Sequence, residues 1–297
     1  MKTRCAQRWP DVAATRTDAR PDAHPDVGAR LRARLRATRL ARSALLCSLS
    51  ALLPSAARAQ DDAALRQETG TLLARVVEKT TRPEAEESEL ELSRSVDGNP
   101  FERSARVEVA WRRAEGEEAL RVRFREPPSL RDHAWLQVWR GEQTTCWRWT
   151  PARPRPERVT PLPGTWRLAG SGLVLDDLRG ERAGAWTWTL LGDAQREGLR
   201  LHLLQATPRA GEAGHPGAVV RLLRVDAERR LPLEAEWRDA GGAWLKRARL
   251  SDWRALAGKL RPFALELVEP GQTTRVKVTS RRSEPPAPRF DPDAFFR

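Results

Sequence analysis

The stretch RVEVAWRRAEGEEALRVRFRE, residues 106–126, decides the fold class. Val107, Val109 and Trp111 fall on one side of an extended chain, with Arg106, Glu108 and Arg112 on the other. Leu120, Val122 and Phe124 then alternate with Arg121, Arg123 and Arg125. Successive side chains of a strand point to opposite faces, so a period of two reads as strands with one apolar face and one wet face.

The same period recurs on both sides. Upstream lies Glu89–Val96. Downstream come Trp135–Trp139, Cys146–Trp149, Leu173–Leu175, Trp186–Leu190, Leu199–Leu203, Val219–Val225, Leu231–Trp237, Leu245–Leu250, Phe263–Val268 and Val276–Val278. Turn residues separate them, among them Gly141, Gly192, Gly241-Gly242 and Pro270-Gly271. Strands that follow one another without intervening helices form an antiparallel sheet rather than an α/β fold. One amphipathic helix is expected over about 62–79, where Leu65, Leu72, Leu73, Val76 and Val77 recur at helical spacing. Gly70 is a soft spot within it, and Thr80, Thr81 and Pro83 stop it. Glu126–His133 reads as a loop or short helix, Thr150–Gly172 as a long surface excursion, and the segment from Ser283 as a Pro-rich tail.

Of 297 residues, 40% are apolar and 31% charged, enough for a real core and too polar for a membrane bundle. The formal charge of +13 invites a nucleic-acid reading, but residues 1–59 hold 12 basic and 4 acidic residues and so carry +8 of it. A net of +5 remains on residues 60–297, a mixed-sign surface rather than a nucleic-acid footprint. The N-terminal charge belongs to a leader. Arg30, Arg32, Arg34, Arg36, Arg39 and Arg42 precede the apolar Ser43–Leu53, Pro54 breaks that stretch, and Ala57-Arg58-Ala59 fits cleavage before Gln60. The expected organisation is a leader over 1–59, with a true start near Val27, and one domain over 60–297, soluble in the periplasm. Cys47 follows Leu46, not the small residue a lipidation site needs, and Cys146 alone remains after cleavage.

Little here suggests catalysis. Asp132-His133 lies in a loop, His202 on the polar side of a strand and His215 in a Gly-rich turn, none with a spaced partner for a triad or a metal. Ser171 lacks a strand–turn–helix context, and Asp176-Asp177, read on a strand, point to opposite faces. The chain is read as a non-enzyme with no metal and no cofactor. Its aromatic usage is unusual: eleven of the 12 tryptophans follow the leader, and there is no tyrosine. A widened sheet lined by Trp, Leu and Val would leave an apolar cavity suited to acyl chains. The expected wall is Val107, Val109, Trp111, Leu120, Val122, Phe124, Trp186, Trp188 and Leu190.

Several stretches in order resemble the outer-membrane lipoprotein-sorting proteins, the LolA-like periplasmic carriers. They are VRFREPPSLRDHAWL (122–136), LAGSGLVLDDLRG (168–180), TLLGD (189–193) and RVDAERRLPLEAEWRDAGGAWLKRARLSDW (224–253), within a similarity running from about Leu65 to Phe296. The chain departs from the family's pattern at Leu173-Val174-Leu175 and in the Arg-rich 150–170. The resemblance implies a strongly curved, incompletely closed antiparallel half-barrel with helices over an apolar cavity. The covers would be the 62–79 helix, through Leu65, Leu72, Leu73, Val76 and Val77, and the 126–133 segment. It also implies a carrier that takes lipid or acylated lipoprotein cargo toward the outer membrane, with an inner-membrane exporter and an outer-membrane acceptor as partners. Two other readings compete: a lipid-sensing or transporter-accessory protein of the same fold, and a polyanion-binding surface using Arg121, Arg123, Arg125 and the arginines of 153–158.

Overall fold

A computed structural model describes residues 37–82, 84–114, 116–141, 143–153, 155–180, 182–209 and 217–283, with side chains from Ala59 onward. The part of the expected leader before residue 37, His215 and the tail after Ser283 lie outside the described residues. The chain divides into two compact units, Met1–Arg58 and Ala59–Arg297.

Helix α1 spans Ala37–Thr81. It ends where Thr80 and Thr81 were expected to stop it, but it begins well upstream of 62 and runs through Pro54. A proline forgoes only its own N–H bond and strains the turn before it.

The strands are β1 Ala85–Val96, β2 Glu102–Ala114, β3 Glu117–Glu126, β4 Ala134–Arg140, β5 Gln143–Trp149, β6 Glu157–Val159 and β7 Trp186–Arg196. They continue with β8 Leu199–Pro208, β9 Val220–Asp226, β10 Pro232–Arg238, β11 Trp244–Leu256, β12 Lys259–Glu269 and β13 Gln272–Ser283. All join one sheet in the order β6-β5-β4-β3-β2-β1-β13-β12-β11-β10-β9-β8-β7. Every neighbouring pair is antiparallel. The sheet is a meander joined end to end through β1 and β13, open between β6 and β7, and so an incompletely closed barrel.

That topology explains the connection. The chain leaves one edge of the sheet at Val159 and enters the opposite edge at Trp186, so residues 160–185 must bridge the open side. They do so across the inner face. The Leu162 backbone is held by Gln137 of β4, Arg94 of β1 reaches the Gly170 carbonyl, and the Gly172 N–H donates to Thr274 Oγ1 of β13 at 2.8 Å. Leu168, Ser171, Leu173 and Leu175 are buried. The expected surface excursion is therefore the roof of the fold. Leu173–Leu175, expected as a strand, instead leads into a one-turn helix, α2, Leu175–Arg179. Asp176 and Asp177 thus lie on a helical turn and not on opposite faces of a strand.

Register carries the apolar rows across the strands. Val278 and Val276 of β13 stand opposite Leu90 and Leu92 of β1, Leu90 opposite Val107, and Val107 opposite Phe124. On the outer face, Ala110, Ala119, Leu136 and Val138 form a small second cluster under Trp147.

Candidate functional site

Between the roof and strands β1, β2 and β10–β13 lies a cavity of about 260 Å³. Its apolar wall comes from inward-facing positions, including Leu90, Val109, Ala235, Ala248, Leu267 and Val276. It exists because two of the inward residues there, Ala235 and Ala248, are too small to reach the roof. Leu173, Val174 and α2 close it from above, and Thr81 and Arg82, at the end of α1, close one side.

The expected wall residues all face inward, but only Val109, Trp111 and Trp186 line this cavity. Val107, Leu120, Val122, Phe124 and Trp188 are packed into the core beside it, and Leu190 is partly buried against that core. There the space is filled by rings: Phe124 meets Trp135 and Trp166 edge to face, with centroids 5.7 and 6.5 Å apart. Trp188 donates its Nε1–H to the Ala183 carbonyl at 2.9 Å.

The helix packs through only part of the expected face. Leu65, Leu72 and Val76 are 62%, 54% and 42% exposed. Leu73 is half-buried against the core and Val77 is buried, together with Gly70 and Ala74. A small-residue face lets the helix come close to β7: a Cβ added at Gly70 would lie 2.8 Å from the Leu190 nitrogen. Small residues win over leucines here because backbone meets backbone. The 126–133 segment contributes a short turn, Pro128–Leu130, whose Leu130 packs on the core and takes no part in the cavity. The covers are thus residues 173–180 with Arg182 and the last turn of α1.

Charged side chains surround the apolar wall. Lys246, 1% exposed, gives its ammonium to Asp177 Oδ2 at 2.5 Å and to the Gly172 carbonyl at 3.1 Å, tying α2 to β11. Arg82 and Arg179 share Glu118, and Arg261 and Arg281 share Glu86. Burial, then the nearby Arg182, pulls the Arg179 guanidinium below its usual value against Glu118 and Asp176. Burial likewise lowers Arg281 despite Glu86. Arg179 lies over the Trp139 ring at 4.0 Å, and Arg221 over Trp237 at 4.7 Å.

The candidate catalytic groups do not converge. Contrary to expectation, His202 does have partners: its Nδ1 is 2.7 Å from Asp193 and its Nε2 is 2.7 Å from Arg230. An imidazole that gives a proton to Asp193 and accepts from Arg230 has no nitrogen left for a substrate. Ser171 is buried, its Oγ accepting the Leu173 N–H at 3.2 Å. Cys146 is buried, and burial pushes its thiol up to about 11, far from thiolate chemistry at neutral pH. Among the described residues no group of three His, Cys, Asp or Glu could hold a metal ion. Among them, too, no helix is long and apolar enough to cross a membrane.

A family model described only as an uncharacterized protein matches residues 116–294. The chain belongs to that family. Its fold is LolA-like, as the resemblance in its sequence implied. A DUF1329 family protein from Desulfovibrio piger superposes with a TM-score of 0.66 at 17% identity, covering 78% of this chain and 97% of that one. A domain from Vibrio parahaemolyticus named for outer membrane lipoprotein sorting gives 0.63 at 17%, covering 73% and 93%. A LolA superfamily protein from Nitrosomonas europaea gives 0.58 at 18%, covering 77% and 97%. No curated protein matches the chain.

Proposed function

We propose that this protein carries a lipid, or the acyl chain of a lipid-modified protein, through the periplasm toward the outer membrane. The observation that supports the reading best is the cavity: an apolar wall on the inner face of an unclosed sheet, roofed by a segment anchored by side chains rather than by a strand ladder. Each CH₂ removed from water is worth roughly 0.8 kcal/mol, so a long chain needs such a shelter to cross an aqueous space. Cargo must also leave, and a roof tied by Lys246–Asp177 and Arg167–Glu269 can open without unpairing the sheet. Export follows from the basic n-region, the apolar Ser43–Leu53 and the Ala57-Arg58-Ala59 site. An inner-membrane exporter and an outer-membrane acceptor are the partners that such a route requires. The outer arginines favour this reading over polyanion binding. Arg121 pairs with Glu87, Arg123 with Asp132, and Arg125 with both Glu108 and Asp132.

The test is native mass spectrometry of the protein purified from periplasm. A bound lipid or acyl species that leaves on mild activation is the expected result. An unliganded protein that also takes up no added lipid would sink the proposal.

A further inference from the structure

The cavity is apolar in its wall but not neutral in its charge. Among the described residues, seven basic side chains line it against three carboxylates, Glu86, Asp176 and Asp177. Glu78 and Glu118 brace Arg82 and Arg179 from behind, and among the described residues positive charge still exceeds negative by two. The excess shows in the pairing: Glu86 serves both Arg261 and Arg281, and Glu118 both Arg82 and Arg179. Four guanidiniums so buried and so shared are a costly arrangement in a protein interior.

The unmet hydrogen bonds point the same way. Among the described residues, Arg82 Nε, Arg179 Nε, Trp111 Nε1 and Trp253 Nε1 are buried donors without an acceptor. All four residues line the cavity. What surrounds this space is a set of donors and positive charge, and the missing complement is an acceptor carrying negative charge. At about 260 Å³ the cavity is also near the small end of ligand sites.

Resting on the carrier reading above, we infer that the ligand is a single-chain amphiphile with an oxyanion head, a carboxylate or a phosphate monoester. Its alkyl chain lies along Leu90, Ala248, Leu267 and Val276, and its head among the cavity arginines. A desolvated anion there relieves the shared carboxylates and pairs with guanidinium forks, which suit oxyanions better than an ammonium does.

The experiment compares tetradecanoate, monotetradecyl phosphate and tetradecanol at pH 8, with one chain length and three heads, by quenching of tryptophan emission and by native mass spectrometry. At least one anion should bind about tenfold tighter than the alcohol, the size of one charge-assisted hydrogen bond, and the tighter anion names the head. Arg281→Gln and Arg179→Gln should each narrow that gap, and added salt should narrow it as well. If the alcohol binds as tightly as both anions, the charge inference is overturned and the apolar carrier stands. If none of the three binds, the carrier reading fails and takes this inference with it. The head-group comparison uses the unaltered protein, so a variant that misfolds does not weaken it.

Discussion

Two halves of one inner face are built on the same alternating pattern and end differently. Under β2–β4 the inward residues Val107, Val122, Phe124 and Leu120 meet the rings of Trp135, Trp166 and Trp188, and the space is full. Under β10–β13 the inward residues include Ala235 and Ala248, and the space is hollow. Periodicity sets which side chains face inward. Side-chain size, and what the roof brings down onto them, sets whether they touch. The filled half is scaffold and the hollow half is the candidate site.

The largest expected effect therefore falls on the filled half. Trp188 is 1% exposed and has its indole N–H satisfied. Trp188→Ala or Phe124→Ala should cost roughly 3–5 kcal/mol in urea unfolding. A cost well under 2 kcal/mol at Trp188 would mean that this half is also loosely filled, and the contrast between halves would collapse. Next in size is Gly70. In an open helix Gly→Ala gains up to about 1 kcal/mol. Here the new Cβ would sit 2.8 Å from Leu190 nitrogen and 2.9 Å from the Thr189 carbonyl carbon, backbone atoms that cannot rotate away. Gly70→Ala should instead lower stability by about 1–3 kcal/mol, while Leu72→Ala, on the exposed face, stays within about 0.5 kcal/mol. Equal effects at the two positions would show that α1 does not seat on its small face.

Smaller again is the effect of filling the hollow half. Ala248→Leu should leave stability unchanged or raise it by up to about 2 kcal/mol, as cavity-filling changes do. Ala105→Leu, at a fully buried site in the filled half, should cost about 1–3 kcal/mol. The same Ala248→Leu protein should lose most of its uptake of a tetradecanoyl probe. Retained uptake would move the site elsewhere on the molecule.

Much of this was legible in the residues. The period of two located twelve of the thirteen strands, missing only the three-residue β6, whose Glu157-Arg158-Val159 is too short to alternate. It also placed Val109, Trp111 and Trp186 on the inner face. What it could not give was the partner across the gap. Leu173-Val174-Leu175 looks like a strand locally, and only the need to connect opposite sheet edges makes it a roof. Pro and Arg enrichment in 150–172 signalled exposure, yet Arg167 is there to pair with Glu269 of β12 and Leu168 to fill the core. Helical spacing named Leu73 and Val77, which pack, along with Leu65, Leu72 and Val76, which are exposed; it passed over Gly70 and Ala74, because a backbone-to-backbone approach rewards small side chains over greasy ones. The cavity cations Lys246, Arg261 and Arg281 were the hardest to find. Each sits at an inward strand position, and nothing in a single sequence distinguishes that from an exposed one.

The smallest expected effect tests the outer face of the filled half, whose arginines are paired, against the cavity, whose arginines are in excess. Asp132 accepts from Arg123 Nη2 at 2.9 Å and from Arg125 Nη1 at 2.8 Å. Against the upward push of partial burial, first Arg123 and then Arg125 hold its carboxyl below the usual carboxylate range. A depressed folded value stabilises the protein above the ordinary carboxylate pKa of about 3.9, and the contribution is lost as pH falls through the folded value. Asp132 also has φ near 62°, a conformation asparagine tolerates well, so Asp132→Asn removes the charge and keeps the turn. With a side chain 33% exposed, the loss at pH 7 should be at most about 1 kcal/mol, and 0.5 M salt should shrink it. Below the carboxylate range the two proteins should converge, because the wild-type carboxyl is then neutral as well. Urea unfolding at pH 7 and near pH 2 reads both ends. A gap that persists at the acid end would assign Asp132 to turn geometry rather than charge. A new affinity of Asp132→Asn for an anionic polymer at pH 7 would show that these arginines are held back from polyanions only by their carboxylate.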